Sequence, residues 1–173
     1  MFCRSLALVA VLCLPSCTDD NGSYAVAALP PALTTEGVKY ARNEVWGFGP
    51  GGNETGFNVI RLSANAAELV AQGGVAWLDA QKGGRLWPDW TETPVPHDDL
   101  WMGRPDSAAG RHPAPTVLAV LDRYGFPVAV PDDDQAALDA ALNAPGSFYA
   151  FGPGGLVAVV VPASRHAYVF HAG

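Results

Sequence analysis

The feature that most constrains this chain is a short stretch, Trp46-Gly47-Phe48-Gly49-Pro50-Gly51-Gly52, because it occurs twice. It returns near the other end as Tyr149-Ala150-Phe151-Gly152-Pro153-Gly154-Gly155. Phe-Gly-Pro-Gly-Gly is identical in both copies, and the aromatic two places before the Phe is kept. Alternation sets the two aromatics of each copy on one face of a strand and small residues on the other. Pro presets φ and Gly tolerates φ > 0, so each copy runs into a turn. The repeat therefore predicts two related β-hairpins paired in one sheet. It does not predict a phosphate cradle, which needs a Gly-Lys-Ser/Thr at the mouth of a helix.

With 173 residues, 49% of them hydrophobic and 16% charged, the chain has the length and composition for one domain with a real core. The formal charge is −7 and only two lysines are present, which argues against nucleic acid and anionic lipid surfaces as partners. Cationic ligands, or a basic patch on a partner protein, suit this balance.

At the N-terminus, Met1 to Arg4 precede an almost unbroken apolar run from Ser5 to Leu14. The run is too short to span a bilayer and matches a signal-peptide core. Leu14-Pro15-Ser16-Cys17 follows. These four residues resemble the lipobox of bacterial lipoproteins, with Leu three places before the Cys and a small residue directly before it. Pro15 departs from the family, which usually carries Ala, Ser, Thr or Val there. The resemblance covers residues 1–17 and says nothing about the globular part. It implies removal of residues 1–16 as a signal peptide, acylation of Cys17, and a lipid-anchored, periplasm-facing place in the bacterial cell envelope. Thr18 stands where an Asp would signal inner-membrane retention in enterobacterial members, which points to the outer membrane. Cys3 and Cys13 leave with the signal peptide, so no thiol remains for a disulfide, a nucleophile or a metal ligand.

Residues 17–33, polar and then rich in Ala and Pro, read as a flexible tether, and residues 34–173 as a single α+β domain. Strands are expected at 43–48 and 57–62 around the first turn, Gly49–Gly56, and at 126–130, 147–151, 156–161 and 166–171. Leu156 to Val161 is apolar on both faces, the pattern of a central strand. Ser63 is placed to cap a helix over 64–72 closed by Gly73-Gly74, with a further helical turn over 75–78. A helix from Pro115 presents Val117, Val120, Leu121 and Tyr124 on one face. Another opens at Asp132-Asp133-Asp134, with Gln135 spaced for a capping box with Asp132, and buries Leu138, Ala141 and Leu142. The architecture expected is a mainly antiparallel sheet carrying three or four helices.

Residues 82–115 form a long excursion with little periodicity, holding three of the five tryptophans. Segments of this kind are usually functional or disordered, and indoles of this size seek burial. Trp87, Trp90 and Trp101 beside Arg85, Arg104 and Arg111 read as a recognition surface, or as plugs in the core. His97-Asp98-Asp99 with His112 is the best cluster of potential metal ligands. It lacks a helical ligand pair and a Glu base, so no metal or other cofactor is expected, and this cluster is the alternative. Of Ser63, Ser107, Ser147 and Ser164, none lies in a Gly-x-Ser-x-Gly elbow. A carboxylate pair can be drawn from Glu54, Asp89, Glu92, Asp98 or Asp99, but sequence sets no distance between them. His166 and His171, an odd number of residues apart in one strand, fall on opposite faces.

The function expected is that of a non-enzymatic, lipid-anchored periplasmic binding protein. It meets a protein or cell-envelope partner through 82–115, with Trp87, Trp90, Trp101 and Arg104 as the contact residues. The alternative is an envelope hydrolase, with or without a metal, using Asp98 or Asp99 with His97 or His112.

Overall fold

The computed structural model describes residues 22–46, 53–81, 86–87, 89–96, 101 and 114–173. They form an α+β fold: a six-stranded antiparallel sheet with helices on both faces. The strands are β1 (Thr35–Trp46), β2 (Asn53–Leu62), β3 (Trp90–Glu92), β4 (Phe148–Phe151), β5 (Leu156–Val161) and β6 (His166–Ala172), ordered β1-β2-β6-β5-β4-β3 across the sheet. The helices among the described residues are α1 (Ser23–Ala28), α2 (Ala64–Ala80), α3 (Val117–Leu121) and α4 (Asp132–Leu142).

Side-chain alternation along the strands supplies two cores. Ile60, Leu62, Phe148, Ala150, Ala158, Val160, Ala167 and Val169 point to one face and pack under α1 and α2. Phe57, Val59, Tyr149, Val157, Val159, Tyr168 and Phe170 point to the other, under α3 and α4. Fully burying a side chain of this size is worth about 1.5–3 kcal/mol, which is why strands apolar on both faces end up in the middle. β5, with β6 on one side and β4 on the other, is central as its sequence indicates.

Both repeat hairpins lie in this one sheet, with β6 between them. Thr55 of β2 pairs with Ala172, and Leu156 of β5 pairs with His171. Both hairpin ends therefore flank the C-terminal end of β6. In the second copy the turn is a short 3-10 segment, Pro153–Gly155, in which Gly154 and Gly155 take φ of 66° and 73°. A Cβ on Gly155 would stand 2.5 Å from the Ala172 carbonyl oxygen. The first copy's turn, 47–52, lies outside the described residues.

Several boundaries differ from expectation. Residues 22–33 are not tether: Ala25, Ala28, Leu29 and Leu33 are buried in the core beneath α1. Apolar residues at that spacing cover sheet that would otherwise be wet. The first hairpin is longer than its apolar pattern, because the ladder continues from Trp46↔Asn53 to Thr35↔Leu62 despite two register shifts in β1. α2 is capped by Ser63, whose Oγ accepts from Ala66 N at 3.1 Å. It bends rather than stops at Gly74 (φ 56°, ψ −144°) and runs on through Leu78.

Residues 126–130 form no strand. Val128 and Val130 pack on the core, and the Ala129 carbonyl accepts from Tyr40 Oη at 2.8 Å. α3 ends at Leu121, which leaves Tyr124 exposed. Pro131 takes the cap position of α4, replacing the expected Asp132–Gln135 box. Asp134, one turn in, is buried and pairs with Lys39 Nζ of β1 at 2.5 Å. The short edge strand β3 had no sequence signal; Asp79 of α2 fixes it by accepting from Trp90 N at 3.2 Å.

Candidate functional site

The expected contact residues are where a core needs them. Trp87, Trp90 and Trp101 are 4%, 3% and 0% exposed, so the expectation of an indole recognition surface is corrected. Trp87 Nε1 donates to the Ala28 carbonyl at 2.6 Å, which ties the excursion to α1. Trp101 Nε1 donates to the Thr116 carbonyl at 2.9 Å, and its ring packs edge-on to Tyr149, Phe151 and Phe170 with centroids 5.8–6.1 Å apart. Burial of the large indole area outweighs display even at Trp90, whose Nε1 is buried with no partner among the described residues. Arg104, His97, Asp98, Asp99, His112 and Cys17 lie outside the described residues. Among the described residues no three His, Cys, Asp or Glu side chains are grouped to hold a metal.

The serines and carboxylates divide similarly. Ser63 caps α2 and Ser147 is buried, its N–H donating to Thr93 Oγ1 at 3.1 Å. Ser164 Oγ lies 3.3 Å from His166 Nδ1, a contact between near neighbours in a turn. The nearby Asp134 is already paired with Lys39. Glu54 on β2 and Glu92 on β3 are separated by β6, β5 and β4. At about 4.8 Å per strand the four steps across the sheet alone separate them by roughly 19 Å, too far for a glycosidase pair. His166 and His171 do fall on opposite faces: His166 packs near Tyr168, and His171 near Tyr24 of α1.

That second histidine belongs to the candidate site. Asn43 of β1, Gly56 of β2, His171 of β6 and Leu156 of β5 stand in one cross-strand row. Gly56 makes the row possible. A Cβ there would collide with Asn43 Oδ1 and stand 2.5 Å from His171 Cε1. One position deeper on the same face is Asn58, the one amide in the buried run Phe57–Ile60, with no exposed surface. Tyr24 of α1 closes the group from above. Its hydroxyl donates to Asn43 Oδ1 at 2.9 Å, accepts from Asn58 Nδ2 at 2.7 Å and lies 3.4 Å from His171 Nδ1.

The orientation of Asn58 is set chemically. Its Nδ2 also donates to the Val169 carbonyl at 3.0 Å, a contact that a flipped amide would turn into oxygen against oxygen. Its Oδ1 has no partner among the described residues. An orphaned buried acceptor costs on the order of 1–3 kcal/mol, so this amide stands against the trend of the core.

Tyr24, Asn43, Leu156 and His171 line an open cleft of about 420 Å³ at the hairpin ends, together with Glu44, Val45, Glu54, Pro153 and Gly154. Val45 is 68% exposed at its rim. Burial holds the His171 imidazole below the usual histidine range, and Glu54 opposes the shift. The ring is therefore uncharged at neutral pH. On the opposite face of β1, Glu44 is paired with Arg42 at 2.6 Å. No basic side chain among the described residues pairs with Glu54. A second depression of about 560 Å³ beside α2 has no comparable cluster, and its Arg165 is paired with Glu36 at 2.6 Å.

The cleft thus offers hydrogen-bond acceptors, aromatic surface and the Glu54 carboxylate. Sequence reasoning singled out the second hairpin and His171 but missed Tyr24, Asn43 and Gly56. Their available signal was Gly56 and Asn58 interrupting an otherwise apolar strand. In comparison with known proteins, no family model, curated protein or solved structure matches this chain.

Proposed function

We propose that the protein is a lipid-anchored binding protein of the bacterial cell envelope, held by an acylated Cys17 and facing the periplasm. In this reading it meets a partner protein at the cleft between the two hairpin ends. The carrying observation is the convergence of Tyr24, Asn43, Glu54 and His171 at one cleft, where Gly56 leaves the room that the Asn43 and His171 side chains fill. The lipobox-like Leu14-Pro15-Ser16-Cys17 supports the anchor, and Thr18 supports the outer membrane. Because α1 begins at Ser23, five residues separate it from Cys17. A fully extended chain of that length reaches roughly 20 Å, so the anchor would hold the cleft close to the membrane.

The experiment is in-cell cross-linking from a photoreactive residue at Val45, with Tyr124 as an equally accessible control on another part of the surface. One discrete adduct from Val45 alone is the expected result. The hydrolase alternative draws on His97, Asp98, Asp99 and His112, and no observation on the described residues favours it.

A further inference from the structure

The chemistry of the cleft restricts its occupant, provided that the proposed reading holds and the cleft is the docking point. Among the described residues its lining contains no lysine or arginine, which leaves an anionic group without a counter-charge. It does contain the Glu54 carboxylate, the Asn43 carbonyl oxygen and the Tyr24 phenol. An ammonium carries three donors and no acceptor, and it is attracted by an aromatic ring. The remaining lining is apolar: Val45 on one side, Leu156 and Pro153 on the other. That pairing of acceptors with apolar walls matches a charged head on a hydrocarbon stem. A guanidinium carries five N–H donors, of which Glu54 can take two, leaving three to share the Asn43 oxygen; the three donors of an ammonium match the acceptors that the described lining supplies. The net charge of −7 further favours approach of a cation.

We infer that the cleft receives a lysine side chain of the partner protein, its ammonium held by Glu54 and its stem laid between Val45 and Leu156. His171 makes the interaction pH-dependent. Its ring faces Glu54 of β2 and Tyr24 of α1, while the Pro153–Gly155 turn and β5 contribute, among the described residues, Pro153, Gly154 and Leu156, which do not titrate. Arg42 and Glu44 of β1 are paired with each other. An uncharged imidazole tolerates the ammonium beside it; a protonated one repels it.

The test is a nuclear magnetic resonance titration of the detergent-solubilised full-length protein with a blocked Ala-Lys-Ala peptide and its norleucine counterpart. Saturable shifts at Gly56 and His171 are expected with the lysine peptide. Affinity should fall about tenfold in Glu54→Gln and with the norleucine peptide, the loss of one charge-assisted contact. It should fall again as the pH is lowered through the depressed range in which His171 takes up a proton. Equal binding of norleucine, unchanged binding in Glu54→Gln, or no saturable shift with the wild-type protein would each overturn the inference. The in-cell adduct from Val45 is read independently, so a partner can still dock at the cleft by other chemistry. Glu54 is exposed, and the spectrum of Glu54→Gln reports directly that the variant is folded.

Discussion

At the scale of residues, the cluster around Tyr24 depends on one hydroxyl serving two amides. Tyr24→Phe removes the acceptor for Asn58 Nδ2 and the donor to Asn43 Oδ1 while keeping the ring. Asn58 is fully buried, so its second N–H would be left unpaired, at a cost of about 1–3 kcal/mol. Chemical denaturation should show this loss; a variant as stable as the parent would mean that water satisfies the amide. Part of the cluster was legible. The odd spacing of His166 and His171 set them on opposite faces, and alternation set Tyr149 and Phe151 together, where Trp101 now packs. The partnership of Asn43, Gly56 and His171 was not legible, because it exists only through the register of the first hairpin with β6, more than a hundred residues further along the chain.

At the scale of elements, strand and helix positions followed from apolar period, and errors arose where tertiary packing overrode it. The Ala- and Pro-rich stretch before β1 lacks the length and charge pattern of an independent helix. It folds because the sheet beneath gives Leu29 and Leu33 somewhere to go. Leu29→Ala is accordingly expected to cost about 2–5 kcal/mol, as at other buried leucines. A true tether would show almost no change in the midpoint of unfolding. α2 shows the same override in reverse. Gly73-Gly74 is a good stop signal, yet Gly74 adopts φ 56° and the chain resumes a helix that buries Leu78. β3 is too short for any periodicity and owes its place to Trp90 and Asp79. The tryptophans of the excursion could not be assigned to surface or core from composition, because indoles suit both.

At the scale of the molecule, two half-buried histidines set a pH limit. Burial depresses His171, and burial reinforced by Lys39, Arg61 and Arg165 depresses His166, against the pull of Asp134. The unfolded chain, with histidines near 6.5, takes up protons first as the pH falls. The stabilisation is therefore complete above about 6.5 and is lost as the pH drops through the lower folded values. The midpoint of thermal unfolding should fall between pH 7 and about pH 5, and a His166→Gln, His171→Gln double variant should show a flatter profile. An unchanged slope would assign the acid sensitivity to the carboxylates.

The proposed function rests, at this scale, on where the two hairpins end. They bracket β6 and open a cleft beside the N-terminal helix, close in sequence to the proposed anchor. The most direct measurement is photo-cross-linking in living cells from Val45 at the cleft rim, compared with Tyr124. A single stoichiometric adduct confined to Val45 is the predicted result. Adducts from Tyr124 alone, or the same background ladder from both positions, would contradict the assignment of binding to the cleft.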